Sequence, residues 1–196
     1  SLAATQISAL TTSQVRALSE TAIAAFDASQ VEALTTTQIK ALTTTQINKL
    51  EAGDVAEFAT TQIAALQNTQ LIALTSTNMS RLAETQIAAI SAGGIKVISA
   101  TNFAALADTQ LAALTTTHIA SLTTSQLQAL DAAKFVALTE TQLGALTTSQ
   151  ISAISETSLA ALEASQINAL STDQLQRLTT TQLNGLSASD MADFSE

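Results

Sequence analysis

His118 is the sole histidine of this 196-residue chain and no cysteine accompanies it, so no second His or Cys is available to share a metal or to build a thiolate nucleophile. It stands in Leu114-Thr115-Thr116-Thr117-His118-Ile119, at a place where Gln recurs elsewhere in the chain. That context reads His118 as a variant helix-cap partner rather than a proton carrier. The carboxylates that could do acid/base work, among them Glu20, Glu84, Glu140 and Glu156, each sit one residue past a recurring Ser, Thr or Ala. Negative charge there suits the start of a helix, and nothing in the spacing pairs two of them. Gly93-Gly94 belongs to neither a P-loop nor a dinucleotide fingerprint, and Asn78-Met79-Ser80 fits an N-glycosylation sequon only at the level of three residues. The expectation is therefore a protein that is not an enzyme, with no catalytic, cofactor-binding or metal-binding residues and no cofactor.

What must position these residues is a strict period of eight. A large apolar residue falls at Leu2, Leu10, Leu18, Phe26, Leu34 and onward to Leu186 and Phe194, with Ile90, Ile98 and Ile154 as further exchanges. A second series follows five residues after each, from Ile7, Val15 and Ile23 to Leu183 and Met191. Phe26, Phe58, Phe103, Phe135 and Phe194 all lie in these series and read as packing residues, not as platforms for stacked bases. A period without insertions marks a repeat architecture, in which each unit buries its apolar face against its neighbours. Residues 1–196 read as a single continuous array of about 24 octads.

With the first-series Leu as slot zero, the consensus octad is Leu-Thr-Thr-Thr-Gln-Ile-Ala-Ala, seen best from Leu34 to Ala41. An uninterrupted α-helix would rotate the apolar stripe by roughly 80° per octad, and an uninterrupted strand would throw successive large residues to opposite faces. The chain must turn once per repeat. Slot one is Ser, Thr or Asp in 17 of 24 octads and slot four is Gln in 15, which together make a Ser/Thr-x-x-Gln capping box. Each octad thus begins a new helix of about seven residues, with slots five and zero on one face and a small Ala in slot seven, as at Ala9, Ala17, Ala33 and Ala41. Slot three is Ser or Thr in 20 of 24 octads, which suits a second local hydrogen bond, methyl packing, or a cap shifted to that slot.

The expected fold class is all-α: a solenoid of very short capped helices, one per eight-residue repeat. A β-solenoid is the alternative, opposed by zero Pro, five Gly and abundant Ala, Leu and Gln. Slot three departs from Ser or Thr at Gly53, Gly93, Ala133 and Asp173, forty residues apart. Either a superhelical turn of about five octads brings a crowded or contacted point round repeatedly, or a five-octad block was duplicated.

Sixteen acidic against seven basic residues give a net charge of −9, which opposes nucleic acid and anionic membrane surfaces as partners. No run approaches the roughly 18 apolar residues of a membrane span. The Ala-Leu-Thr-Thr-Thr-Gln-Ile run, as at Ala41 to Ile47, resembles the Thr/Gln-rich octad arrays of large bacterial secreted or surface proteins of adhesin-like kind. That resemblance implies an extracellular or cell-surface location and a structural or adhesive role. The leading expectation is a stiff rod, stalk or filament component; the alternative is a binding module that presents Ser/Thr rows to glycan, protein or ice. The chain opens on Ser1-Leu2 and runs straight into consensus octads, while Asp190 to Glu196 keeps both apolar slots. Uncapped repeats of this kind are expected either to continue in a longer array or to self-associate, end to end or side by side.

Overall fold

The computed structural model describes residues 2–186, so the sequence expectations for Ser1, Met191, Phe194 and the acidic segment from Asp190 lie outside the described residues. Among the described residues there are 23 α-helices and no strand, from α1 (Ala4–Ser8) to α23 (Thr180–Asn184). The β-solenoid is thereby set aside. The helices hold four to six residues, as in α3 (Glu20–Ile23), α4 (Ala28–Glu32) and α2 (Thr12–Ala17), rather than the seven expected.

The shortening has a local cause. At the α2 exit, Leu18 has φ −60° and ψ 138°, and the following slot-one residue Ser19 has φ −65° and ψ 153°. Two consecutive extended residues redirect the chain at the octad boundary, and the helix can use only the residues between them. No described residue has positive φ, so the corner needs neither Gly nor Pro, in keeping with their scarcity. The cap sits at slot one throughout: the side chains of Thr11, Asp27, Thr35, Thr43 and Thr147 accept from the backbone N–H three residues on. This settles the register against a cap at slot three.

The chain divides into two compact units, Ser1–Ala105 and Leu106–Glu196. In the first, α3 packs on α6 (Thr44–Lys49), α6 on α9 (Asn68–Ala73) and α9 on α12 (Ala92–Val97). A second row runs α2, α5 (Thr36–Ala41), α8 (Thr60–Ala65) and α11 (Glu84–Ala89). A third includes α1 on α4, and α7 (Ala52–Ala56) and α13 (Ala100–Ala104) on α10 (Ser76–Arg81). In the second unit α17 (Ala132–Val136), α20 (Glu156–Ala160) and α23 form one row. Another is α15 (Thr116–Ser121), α18 (Glu140–Gly144) and α21 (Ala164–Asn168), and α19 (Thr148–Ile151) packs on α22 (Thr172–Leu175). In every one of these pairs a helix meets the third one after it, so both units are three-sided α-solenoids.

Three octads close a turn, which corrects the turn of about five. The four irregular octads do not share a side: Gly53 lies in the α7–α10–α13 row and Gly93 in the α9–α12 row of the first unit. In the second, Ala133 lies in the α17 row and Asp173 in the α19–α22 row. Nor is the point crowded, since a Cβ at Gly53 or Gly93 would meet nothing within 4 Å.

The core is the two apolar series. Slot five is closed to solvent from Ile7 to Ile167, with Ile7, Val15, Ile39, Ile47, Phe103 and Leu143 at 0% exposure, while Leu175 is half-buried and Leu183 exposed; slot zero is buried from Leu34 to Leu170. Phe58, Phe103 and Phe135 are in this core, and Phe26 in the first turn is half-buried. Ala41 is buried and Ala33 half-buried in slot seven, but Ala9 and Ala17 of the first turn are exposed, so helix approach uses the small side chain only where a further turn covers it.

Candidate functional site: a glutamine clamp between turns

The slot-four Gln does more than complete a cap. In α5 the Gln38 Oε1 accepts the Thr35 N–H at 2.8 Å, while Nε2 donates to the carbonyls of Ile7 at 2.8 Å and Leu10 at 2.7 Å, in the turn beneath. Gln46 does the same to Val15 and Leu18, Gln62 to Val31 and Leu34, and Gln70 to Ile39 and Leu42. In the second unit Gln142 bonds Leu111 and Leu114, Gln150 bonds Ile119 and Leu122, and Gln182 bonds Ile151 and Ile154. The acceptors are carbonyls at a helix exit: the slot-five one also takes the slot-zero N–H, as Ile7 does from Leu10, whereas the slot-zero one is past the helix and relies on the amide. One amide thus satisfies the start of its own helix and the end of a helix four octads earlier. These residues are 1–3% exposed, and no described buried side-chain N or O lacks a hydrogen-bond partner.

Sequence reasoning recognised the cap and missed the clamp. The signal was present: a capping box takes Glu as readily as Gln, yet slot four contains no Glu in any octad. A carboxylate accepts but cannot donate, so the lack of Glu, against 15 Gln and two Asp, points to a donor requirement in most octads. The hydroxyl half is the more dispensable one. At Ala59, Ala83 and Ala107 no hydroxyl exists, and Gln62, Gln86 and Gln110 still accept the N–H of those residues at 2.6–2.8 Å.

The residues singled out for chemistry fall into this scheme. His118 is 4% exposed and its Nδ1 accepts the Thr115 N–H at 3.2 Å, so it stands in for Gln as a cap partner. Asn78 is 2% exposed, accepts from Thr75 N–H and donates to the Leu50 carbonyl at 3.2 Å, which buries the sequon's acceptor nitrogen inside the fold. Glu20, Glu84, Glu140 and Glu156 occupy the first turns of four separate helices, where the backbone dipole favours them. Among the described residues no three His, Cys, Asp or Glu come together to hold a metal ion. No described helix is long and apolar enough to cross a membrane.

The slot-three hydroxyls are exposed in every described octad that has one. Several bond back to the cap side chain, as Ser29 Oγ does to Asp27 Oδ1 at 2.6 Å and Thr45 with Thr43 at 2.9 Å, which favours the local hydrogen bond over methyl packing. The Ser29 hydroxyl, with the Gln30 N–H, holds the Asp27 carboxyl below its usual value. Open grooves run between stacked corners: one of about 520 Å³ lined by Arg16, Glu20, Thr43 and Thr45, another of about 440 Å³ lined by Thr139, Glu140, Glu163 and Ser165. Hydroxyls and carboxylates dominate both, and nothing in them is arranged as a nucleophile beside a base.

Residues 7–44 match the ALTTAQ repeat family. No curated protein matches the chain. The match and the octad-by-octad recurrence of one hydrogen-bond scheme together make this a repeat protein, built as an α-helical solenoid.

Proposed function

We propose that the chain is a non-enzymatic structural component, a stiff spacer or stalk on the outside of a bacterial cell, whose working property is length set by the number of octads. The observation that carries the reading is the glutamine clamp: the recurrent buried polar group is used to bond turn to turn. A solenoid held this way extends by whole turns and resists bending through both apolar packing and directional amide bonds. The Thr/Gln-rich octads and the absence of thiols suit an extracellular setting. Small-angle X-ray scattering on chains lengthened or shortened by three-octad blocks tests the reading. The maximum dimension should change by the same increment per block, and a dimension that stays level would sink it. Surface proteolysis of intact producing cells tests the location.

A second reading is favoured by one observation, the exposed slot-three hydroxyls that recur once per octad on each side of the coil. These rows could engage a glycan, a protein or ice. Glycan-array binding or thermal hysteresis would support this reading, and a bare spacer gives neither.

A further inference from the structure

A slot-four Gln closes its helix start at any physiological pH, because an amide does not titrate there. At α15 the same task falls to an imidazole, the one side chain whose ordinary titration lies in that range. The His118 Nδ1 accepts the Thr115 N–H at 3.2 Å. A backbone N–H can only donate, so Nδ1 holds a lone pair and the ring is the neutral Nε2–H form. The backbone around the ring is fixed on both sides: the His118 N–H donates to Thr115 Oγ1 at 3.2 Å, and the Ser121 hydroxyl donates to the His118 carbonyl at 2.7 Å. The residue is 4% exposed, beside Ile119 at 0%. Around α15 in the second unit, the charged groups are Glu140, exposed in the first turn of α18, and Asp108 of α14 (Asp108–Ala112), which pairs with Lys134 of α17 at 4.0 Å. α15 has no other titratable residue, and α16 (Thr124–Gln128) has none. Whatever these carboxylates contribute, a proton on Nδ1 points at the Thr115 N–H directly.

We infer that His118 is an acid-sensitive latch on the second unit: the neutral ring closes the start of α15, and the protonated ring, set donor against donor, releases it. The proton comes from solvent and goes to Nδ1, and no covalent bond between heavy atoms changes. The fold selects the neutral ring, so the latch is whole above the unfolded imidazole's value of about 6.5 and is lost as pH falls from there toward the folded one. Release leaves the Thr115 N–H without its acceptor and places a charge in a buried octad, which loosens α15 first. The latch goes beyond the spacer reading and does not depend on it.

Nitrogen NMR of the 196-residue chain labelled at its single histidine provides the test, together with amide exchange at Thr115 and thermal melting between about pH 7.5 and about pH 5. His118→Gln is the variant: it restores the consensus octad, cannot take up a proton and should fold as the wild type does. The wild-type ring should be the Nε2–H tautomer at the upper pH and titrate at least about one unit below 6.5, a tenfold preference of the fold for the neutral form. Over the same interval the protection of the Thr115 amide should drop about tenfold, and the melting temperature should fall by about 3–5 °C more than in His118→Gln. Carboxylate titration, centred near about 4, is common to both chains and cancels in that comparison. A ring that titrates at about 6.5 or above, or equal melting losses in the two chains, would overturn the latch.

Discussion

Gln142→Met should destabilise the second unit far more than loss of the neighbouring cap hydroxyl, although it removes almost no apolar contact. Gln142 is 3% exposed, accepts the Thr139 N–H at 2.9 Å and donates to Leu111 and Leu114 at 2.8 and 2.7 Å. Met has similar length and no amide. After the change the Leu111 carbonyl keeps its bond from the Leu114 N–H at 3.1 Å, but the carbonyl of buried Leu114 loses its clamp. A buried acceptor left unmade costs about 1–3 kcal/mol, and the Thr139 N–H, within reach of water, adds about 0.5–1.5 kcal/mol for its exchanged bond. The expected loss is about 2–4 kcal/mol. Thr139→Ala removes only the hydroxyl that accepts the Gln142 N–H at 3.3 Å, worth about 1 kcal/mol, and Ala107 shows that the Gln half survives such a change. Urea denaturation followed by circular dichroism ranks the two variants. Amide exchange at Thr139 locates the cause, since that N–H should exchange faster in Gln142→Met and not in Thr139→Ala. Equal losses, or an unchanged Thr139 amide in Gln142→Met, would refute the clamp as the stabilising device.

Gln142→Glu turns the same site into a pH sensor: burial and two facing carbonyls raise the carboxyl's folded pKa above its unfolded value of about 4.3. Its stability is then fullest below that unfolded value and is lost as pH rises through the folded one, so the melting temperature should climb on acidification; a pH-independent deficit would contradict this. Asp27 works the other way, because the Ser29 hydroxyl and the Gln30 N–H lower its pKa from 3.8. Its contribution is present above that value and fades as pH falls through the lowered one, and Ser29→Ala should flatten this part of the acid titration of melting temperature. Deleting residues 35–42 should leave a folded chain, since every slot keeps its role and each clamp passes to the next octad. Deleting residues 35–38 brings polar residues into apolar slots, and equal melting losses in the two deletions would show that octad phase is not what holds the array.

What the sequence disclosed is what lies within one octad. Slots five and zero were legible because burial demands apolar side chains, and the cap was legible because its partners stand three residues apart in Thr11 and Gln14, Thr35 and Gln38. The number of octads per turn was not. It depends on the corner angle, which the φ and ψ of residues such as Leu18 and Ser19 set, and near-identical octads bear no mark of which neighbour they meet. The forty-residue spacing of Gly53, Gly93, Ala133 and Asp173 suggested five, and the packing of α3 on α6 and α6 on α9 gives three. The clamp's second role was hidden for the same reason, since its acceptors lie 28 and 31 residues away from Gln38.

The exchanges at slot four show why Gln prevails there. Asn78 keeps both functions, donating to the Leu50 carbonyl at 3.2 Å, whereas Asn102 donates to Leu74 at 2.6 Å but α13 has no capping box. Lys134 reaches the Leu106 carbonyl as a donor but has no acceptor for the Asp131 N–H, and α17 has no capping box. Asp54 is the converse, accepting the Glu51 N–H at 2.7 Å with nothing to donate. Gly94 does neither, and its place is filled by Leu71 and Ile90, whose side chains would lie 2.6 and 2.8 Å from a Cβ built there. A primary amide, with an acceptor and two donors, closes a helix start and a helix exit together, and with its second methylene Gln also reaches the slot-five carbonyl, as Gln38 reaches Ile7. The array tolerates a scattered octad that does half the task, because the turns on either side keep whole clamps.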